Sequence, residues 1–468
     1  MGEQLFIKNF RIYGLFGIYD VNIPFKSNVN IFVGENGLGK TTILNALNYI
    51  IQGDGDGLSS INFDKVELIL GNDEMIQIEH DYLIEERTNV IDNSKLYHYT
   101  LTNEYNCITR KIALEIMKTF DDLNDNSELD TQMLMKKIGL KYKQSFPSYY
   151  IEQVYRSINN DKKFVKELQQ SWEYKVYEYM KKYNKVIYLP TYRRIEEDFN
   201  NLIENSHDEE FKQPFRRKNN FSYLQFGMDD VQSLIDNTCA TLKNNTNEGF
   251  KGMTSNLLTN YIEIEEASNA KRINRKNIDS SNIEIIFSRL ADKIKGTTKK
   301  KIIELLNNET VIDDKYHRYL LSIIKELNNI YIKNKTIDDS LEAFMNVCNH
   351  YLVNKEVVYD KIKIECYVKE KRSNKRISLK YLSSGEKQIL SLFSKIYLNQ
   401  LDNNIILFDE PELSLSILWQ SKLIPDIVGS DRCKFIIAIT HSPFIFDNDY
   451  RFNTINIKDY IKIRRTNV

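Results

Sequence analysis

The chain has no apolar run approaching the roughly 18 residues that read as a membrane-spanning helix. Its opening, MGEQLFIKNF, holds no apolar core of a secretory leader, and Phe6 stands where N-myristoylation wants Ser or Thr. Neither sign of charge dominates: 64 Lys and Arg face 65 Asp and Glu, a net charge of −1 with His neutral. That balance gives no overall pull toward nucleic acid, so any such surface has to be a local patch. The five cysteines (Cys107, Cys239, Cys348, Cys366 and Cys433) are scattered, odd in number and without metal-ligand spacing. This usage fits a reducing compartment. No internal repeat stands out. No heptad pattern is sustained over three or four repeats, so a compact or short helical arm is expected rather than a long coiled coil. Together the absences predict a cytoplasmic protein that does not engage a membrane. A chain of 468 residues is still too long for one small core, and two or more lobes are expected.

What is present centres on Phe32–Ile50. Gly34-Glu35-Asn36-Gly37-Leu38-Gly39-Lys40-Thr41, with Thr42 behind it, fits the phosphate-loop pattern GxxxxGK[ST]. Val29–Val33 reads as a buried strand before it, and Ile43, Leu44, Leu47 and Ile50 line one face of a helix after it. Glycines let successive N–H groups turn inward on an anion, and the helix N-terminus adds partial positive charge. In such a loop the Lys40 ammonium reaches the β- and γ-phosphates and the Thr41 hydroxyl ligates Mg²⁺.

Upstream, Leu5–Phe16 and Tyr19–Phe25 read as two strands across a Gly-containing turn. Val66–Leu70 and Met75–Ile84 read as a hairpin, and Leu96–Leu101 as a further strand. From about residue 111 the pattern turns mainly helical, with a short strand at Lys185–Leu189 leading into Pro190-Thr191-Tyr192-Arg193-Arg194. The Arg193–Arg194 pair is open to two readings, a ligand-facing pair at a strand end or a surface pair with Glu196, Glu197 or Asp198. Gln213–Asn220, Ala270–Asn277 and the run Lys299-Lys300-Lys301 are basic stretches, read as solvated surface with nucleic-acid contact as the alternative. Tyr359–Glu370 and Arg376–Lys380 read as strands. Next, Ser383 or Ser384 caps a helix whose inner face carries Ile389, Leu390, Phe393, Ile396 and Tyr397. Asn404–Phe408 is a buried strand ending in Asp409-Glu410-Pro411, and Lys434–Ile439 another ending in Thr440-His441-Ser442-Pro443.

Phosphate loop, Leu382-Ser383-Ser384-Gly385-Glu386 opening a helix, Asp409-Glu410 closing a strand and His441 closing another: this order resembles the ABC-class ATPases, especially the soluble SMC/RecF/OLD branch. The likeness covers residues 1–100 and 355–455 and leaves the middle unassigned. It implies an α/β fold, an ABC-type P-loop ATPase head with a mixed sheet and an antiparallel subsheet. Residues 1–110 and 355–468 form the halves of that head, and 111–354 a mainly helical insertion with one returning strand near 185–192. The resemblance implies ATP and Mg²⁺ as ligands, with Thr41 and Asp409 on the metal. Glu410 orients or deprotonates the attacking water, and His441 donates to the γ-phosphate. Ser383, Ser384, Gly385 and Glu386 complete the site of a second protomer, which implies a homodimer at minimum. The signature's usual second Gly is here Ser384, and Ser416 stands where many relatives carry His. A Mg²⁺-sensing glutamine is also expected, with Gln225 the candidate.

Lys40 and Ser383 lie 343 positions apart, far more than in transporter ATPases. Only 27 residues follow His441, fewer than a fused nuclease domain needs. With the stretches Tyr188–Glu196 and Phe226–Val231, the outline looks like the ATPase subunits of bacterial anti-phage systems such as PARIS and Septu. That likeness implies a scaffold of dimers holding a separate nuclease of HNH or Toprim type, with nucleic acid or a phage protein as candidate further partners. A DNA-repair or chromosome-maintenance ATPase of RecF/SMC type is the competing expectation.

Overall fold

The computed structural model describes residues 4–35, 37–88, 114, 162–183, 186–190, 228–266, 280–289, 315–399 and 402–464. The chain divides into two compact units, Met1–Leu224 with Asp402–Val468, and Gln225–Leu401. These borders differ from the expected ones at 110 and 354. The helix that opens at Ser384 groups with the long helices before it rather than with the strands after it. Leu96–Leu101, Arg193, Arg194, Gln225 and the three basic stretches lie outside the described residues.

In chain order the first unit begins with β1 (Ile7–Leu15) and β2 (Tyr19–Pro24), paired antiparallel with Phe10 opposite Ile23. Phe10 and Ile12 point into the core while Arg11 and Tyr13 sit half-buried on the other face, the period of a one-sided sheet. β3 (Val29–Val33) feeds α1 (Lys40–Gln52). Then come α2 (Gly55–Ser59), β4 (Lys65–Leu70), β5 (Met75–Glu79) and α3 (His80–Thr88). The strand expected over Met75–Ile84 therefore stops at Glu79. The His80 N–H closes onto the Asp64 carbonyl at 3.0 Å and its ring packs edge-on against Phe63, which turns the chain into a helix. After α4 (Lys162–Gln169) and α5 (Trp172–Met180), β6 (Val186–Leu189) is the returning strand.

The second unit holds α6 (Met228–Glu266), α7 (Ser280–Arg289) and α8 (Lys315–Asn349). Next are β7 (Lys355–Asp360), β8 (Glu365–Glu370), β9 (Arg376–Ile377) and α9 (Ser384–Tyr397). The single strand expected over Tyr359–Glu370 is a hairpin end. Asp360 Oδ1 accepts from the Ile362 and Lys363 N–H groups at 3.0 Å each, and Ile364 takes φ 53° to re-enter the sheet. The short arm is corrected more strongly: α6 and α8 run 39 and 35 residues and pack on each other. At 1.5 Å per residue they span about 58 and 52 Å. Phe250 and Met253 of α6 share an apolar cluster with Ile324, Leu327 and Tyr331 of α8, and Gly249 lies against Ile330. Buried polar residues interrupt the apolar pattern of both helices: Thr238, Thr246, Asn334 and Ser340 each bond back to a carbonyl four residues earlier.

The chain returns to the first unit with β10 (Asn404–Asp409), α10 (Ile417–Val428), β11 (Cys433–Thr440), β12 (Thr454–Asn456) and β13 (Ile461–Ile463). The central sheet runs β12-β3-β11-β10-β6, and every recorded pairing in it is parallel. β10 is buried along its whole length, as a strand covered on both faces must be, which is why its sequence is an unbroken apolar run before Asp409. A second sheet, β13-β2-β1-β4-β5, is antiparallel. Phe6, Phe25, Phe32 and Phe435 join the two sheets in one core. Strands β12 and β13, not anticipated from sequence, add an edge to each sheet. Among the described residues no helix is long and apolar enough to cross a membrane.

Tyr179 ties α5 to the start of β1: its buried hydroxyl donates to the Phe6 carbonyl at 2.6 Å and accepts from the Gly71 N–H at 3.2 Å. Tyr179→Phe is expected to lower the stability of this unit by about 1–2 kcal/mol. Chemical denaturation followed by tryptophan fluorescence measures the loss.

Candidate nucleotide-binding site

In the central sheet β11 lies between β3 and β10, with Asp409 level with Ile439 and Val33 level with Thr440. All three strands are parallel, so the residues that follow them emerge at one edge. The phosphate loop, Asp409-Glu410 and His441 are brought together there, at the carboxyl ends where ligands collect in such sheets.

The loop itself is wound tightly. Gly37 and Gly39 adopt left-handed φ of 86° and 73°. A Cβ on Gly39 would also lie 3.1 Å from Phe16 Cε2, a close contact that the ring would have to yield to. α1 starts at Lys40 without a side-chain cap, which leaves its first N–H groups for a ligand. The Lys40 side chain is buried and curls back into the loop, donating to the Gly34 carbonyl at 2.9 Å and the Glu35 carbonyl at 2.8 Å. Burial lowers its pKa from the usual lysine value, and the charges of Asp409, Glu410 and Glu412 oppose that shift. Thr41 and Gly37 are exposed; Leu38, Gly39 and Thr42 are half-buried; Asn36 lies outside the described residues.

Thr41 Oγ donates to Asp409 Oδ2 at 2.9 Å, joining positions 368 apart in sequence. A hydroxyl beside a buried carboxylate is an all-oxygen donor pair, the chemistry Mg²⁺ takes when it keeps several waters. Among the described residues no group of three or more His, Cys, Asp and Glu side chains forms a denser metal cage. These residues fit the magnesium that the motif implies. Glu410 follows in a left-handed conformation, φ 50°, with its N–H on the Ile439 carbonyl at 2.8 Å, so it leaves the strand in a new direction. His441 is exposed beside it at the end of β11.

The signature residues belong to the second unit. Ser383, not Ser384, is the N-cap: its Oγ accepts from the Glu386 N–H at 3.3 Å, and Glu386 Oε2 accepts from the Ser383 N–H at 2.7 Å. This capping box, with Lys355 Nζ 2.7 Å from the same Glu386 oxygen, engages the Glu386 carboxylate in building the helix start. Ser383 and Ser384 are exposed and Gly385 is buried.

Three features escaped the sequence reading. Phe16, at the β1–β2 turn with φ 56°, lays a partly exposed ring beside Gly39. Lys458 pairs with Glu35 at 3.5 Å. Glu412 reaches from the loop after Glu410 to the end of β11. The glycine-flanked turn Leu15-Phe16-Gly17 was the available signal for Phe16, and the stretch Glu412–Ser416, which resembles the loop after the catalytic Glu, was the signal for Glu412; nothing local marked Lys458. A cavity of about 550 Å³ elsewhere in this unit is lined by β5 with Tyr82 and Trp172 and contains none of these residues.

The strand–loop–helix holding Lys40 and Thr41, closed by a strand-end aspartate, defines a P-loop nucleoside triphosphatase. The chain belongs to the AAA ATPase domain family AAA_15, whose model matches residues 1–446, and is an ATPase of that family. It is similar to the retron Ec83 probable ATPase of Escherichia coli, 27% identical over 209 residues that make up 39% of this chain and 34% of that protein. The match thus spans about a third of the length of that curated relative. Among solved structures it is similar to the Smc head domain with an extended coiled coil, bound to the C-terminal domain of ScpA, from Pyrococcus furiosus. Identity there is 13%, with 98% of this chain and 96% of that chain covered at a TM-score of 0.34. The Smc head domain with a coiled coil and joint from Pyrococcus yayanosii gives 13%, 98%, 96% and 0.32. Superpositions at this level assign neither architecture nor partner.

Gly39→Ala puts a methyl group on a left-handed residue and against Phe16. The expected result is a loss of stability of about 1–2 kcal/mol and weaker nucleotide binding, read by denaturation and by titration with a fluorescent ATP analogue.

Proposed function

We propose that the chain binds ATP with Mg²⁺ at the phosphate loop and Asp409, hydrolyses it slowly, and uses the nucleotide state as a switch within an anti-phage defence system. The observation that carries the site assignment is the Thr41–Asp409 hydrogen bond, which sets a loop hydroxyl against a strand-end carboxylate. On binding, Lys40 exchanges its two loop carbonyls for phosphate oxygens, a trade that a partly desolvated ammonium makes readily. Mg²⁺, when bound, supplies positive charge against the β- and γ-phosphate oxygens. Phe16 offers an apolar face to the nucleoside beside Gly39. Glu410 takes the proton of the attacking water, and His441 donates to the γ-phosphate.

Ser383 and Gly385 act on the nucleotide of a second copy, so two chains close around two ATP molecules. The exposed hydroxyls of Ser383 and Ser384 at a helix N-terminus suit an anion from another molecule. Defence as the setting, and a separate nuclease as the controlled partner, rest on the likeness to anti-phage ATPase subunits and on the retron ATPase among the relatives.

Two substitutions test the core of this reading. Lys40→Ala is expected to abolish ATP binding, seen as loss of signal in equilibrium titration. Glu410→Gln is expected to bind ATP, cut turnover by at least about a hundredfold and accumulate as a dimer in light scattering. Native-rate hydrolysis by Glu410→Gln would overturn the catalytic assignment.

A further inference from the structure

The loop Pro411–Ser416 joins Glu410 to α10, and it is bridged to the end of β11 at two places. Glu412 makes the first bridge. Its Oε1 accepts the His441 N–H at 2.7 Å and its Oε2 accepts the Thr440 hydroxyl at 2.8 Å. Both oxygens of one carboxylate are thus taken by consecutive residues of the other strand end, in bonds strengthened by the charge. Gln420, on α10, makes the second. Its Nε2 donates to the Leu415 carbonyl at 2.9 Å and its Oε1 accepts from Ser442 Oγ at 2.6 Å.

These bridges hold a loop that is otherwise uphill. Glu410 and Ser414 both occupy left-handed backbone, φ 50° and 63°, where residues with a Cβ persist only if their surroundings fix them. The segment also turns back on itself, Leu413 N–H to the Glu410 carbonyl and Leu415 N–H to the Glu412 carbonyl. Ser416, where many relatives carry His, makes no capping hydrogen bond at the start of α10.

We propose that Glu412 is the positioning residue that sets Glu410 and His441 in register. A displacement of the loop moves the His441 backbone, and a displacement of His441 moves the loop. In this role Glu412 acts through Glu410 and His441 rather than on the nucleotide itself. The inference rests on the catalytic reading of Glu410 and His441 given above.

The test uses the full-length protein, with ATP turnover and ATP affinity measured separately. Glu412→Gln keeps the shape and one acceptor but places an amide where the Thr440 hydroxyl now donates. It is expected to lower kcat about ten- to a hundredfold, as loss of an orienting partner does, with the Kd for ATP within about twofold of native. Combined with Glu410→Gln, it is expected to lower kcat by clearly less than its loss in the native background, since the part of its effect that passes through Glu410 is already gone. Ser442→Ala removes the second bridge from outside the loop and is expected to lower kcat about two- to fivefold, again at native affinity. It carries the test if Glu412→Gln does not fold.

An unchanged kcat, or a change confined to Kd, would overturn the inference, the latter by showing that Glu412 acts through its charge on Lys40. Losses that multiply in the double variant would overturn it too. If Glu410→Gln itself hydrolyses at the native rate, the underlying catalytic reading fails; if only Glu412→Gln is native-like, the positioning role alone fails.

Discussion

The hydrogen bond from Thr41 to Asp409 is the contact on which the site depends, and it exists only because three parallel strands are in register. β11 holds β3 on one side and β10 on the other, so a loop from the start of the chain and a carboxylate from near its end meet within 2.9 Å. The residues between them are accommodated in the connection from β3 to β10, which runs through α1, the antiparallel sheet, β6 and the second unit. A parallel sheet tolerates such insertions because its strands are joined by long crossovers in any case. The core of phenylalanines that locks the antiparallel sheet to the central one keeps that edge rigid.

Around this contact the charges are arranged for an anion and a cation together. Lys40 is buried, held by two carbonyls, and surrounded by the charges of Asp409, Glu410 and Glu412. A ligand that carries both signs, as the proposed ATP with Mg²⁺ does, suits both sets. Phe16 lies beside Gly39 on one side of the loop, and the left-handed backbone at Glu410 turns the chain out of the line of β10 directly after Asp409. The Glu412 and Gln420 bridges give a reason for that strain to persist.

The second unit follows a different logic. Its long helices meet through an apolar cluster of Phe250 and Met253 with Ile324, Leu327 and Tyr331, and Gly249 lies against Ile330. Arg289 and Asp338 form a buried ion pair at 2.6 Å, and the Tyr359 hydroxyl donates to the same carboxylate oxygen. The ion pair joins α7 to α8 with a specific polar contact beside the apolar cluster that these helices share with α6. At its end the Ser383–Glu386 capping box fixes where α9 begins, and so where the two exposed serines stand.

Local chemistry was legible in the sequence wherever one segment sufficed. The glycines and Lys40–Thr41 between a strand and a helix, the apolar run ending in Asp409-Glu410, and the serine cap three residues before Glu386 each carry their structure in neighbouring residues. What needed the folded chain were features set by distant partners: the helix at His80 that Asp64 and Phe63 turn, and the pairing of α6 with α8. Strands β12 and β13 take their pairing from β3 and β2, and Phe16 and Glu412 gain their places only when β1, β10 and β11 are assembled. Sequence alone determined which residues are the candidates to hold a phosphate, a metal and a proton. Tertiary structure decided which of them meet, because the spacing between strand ends is set by hydrogen-bonded register across the sheet and not by separation along the chain.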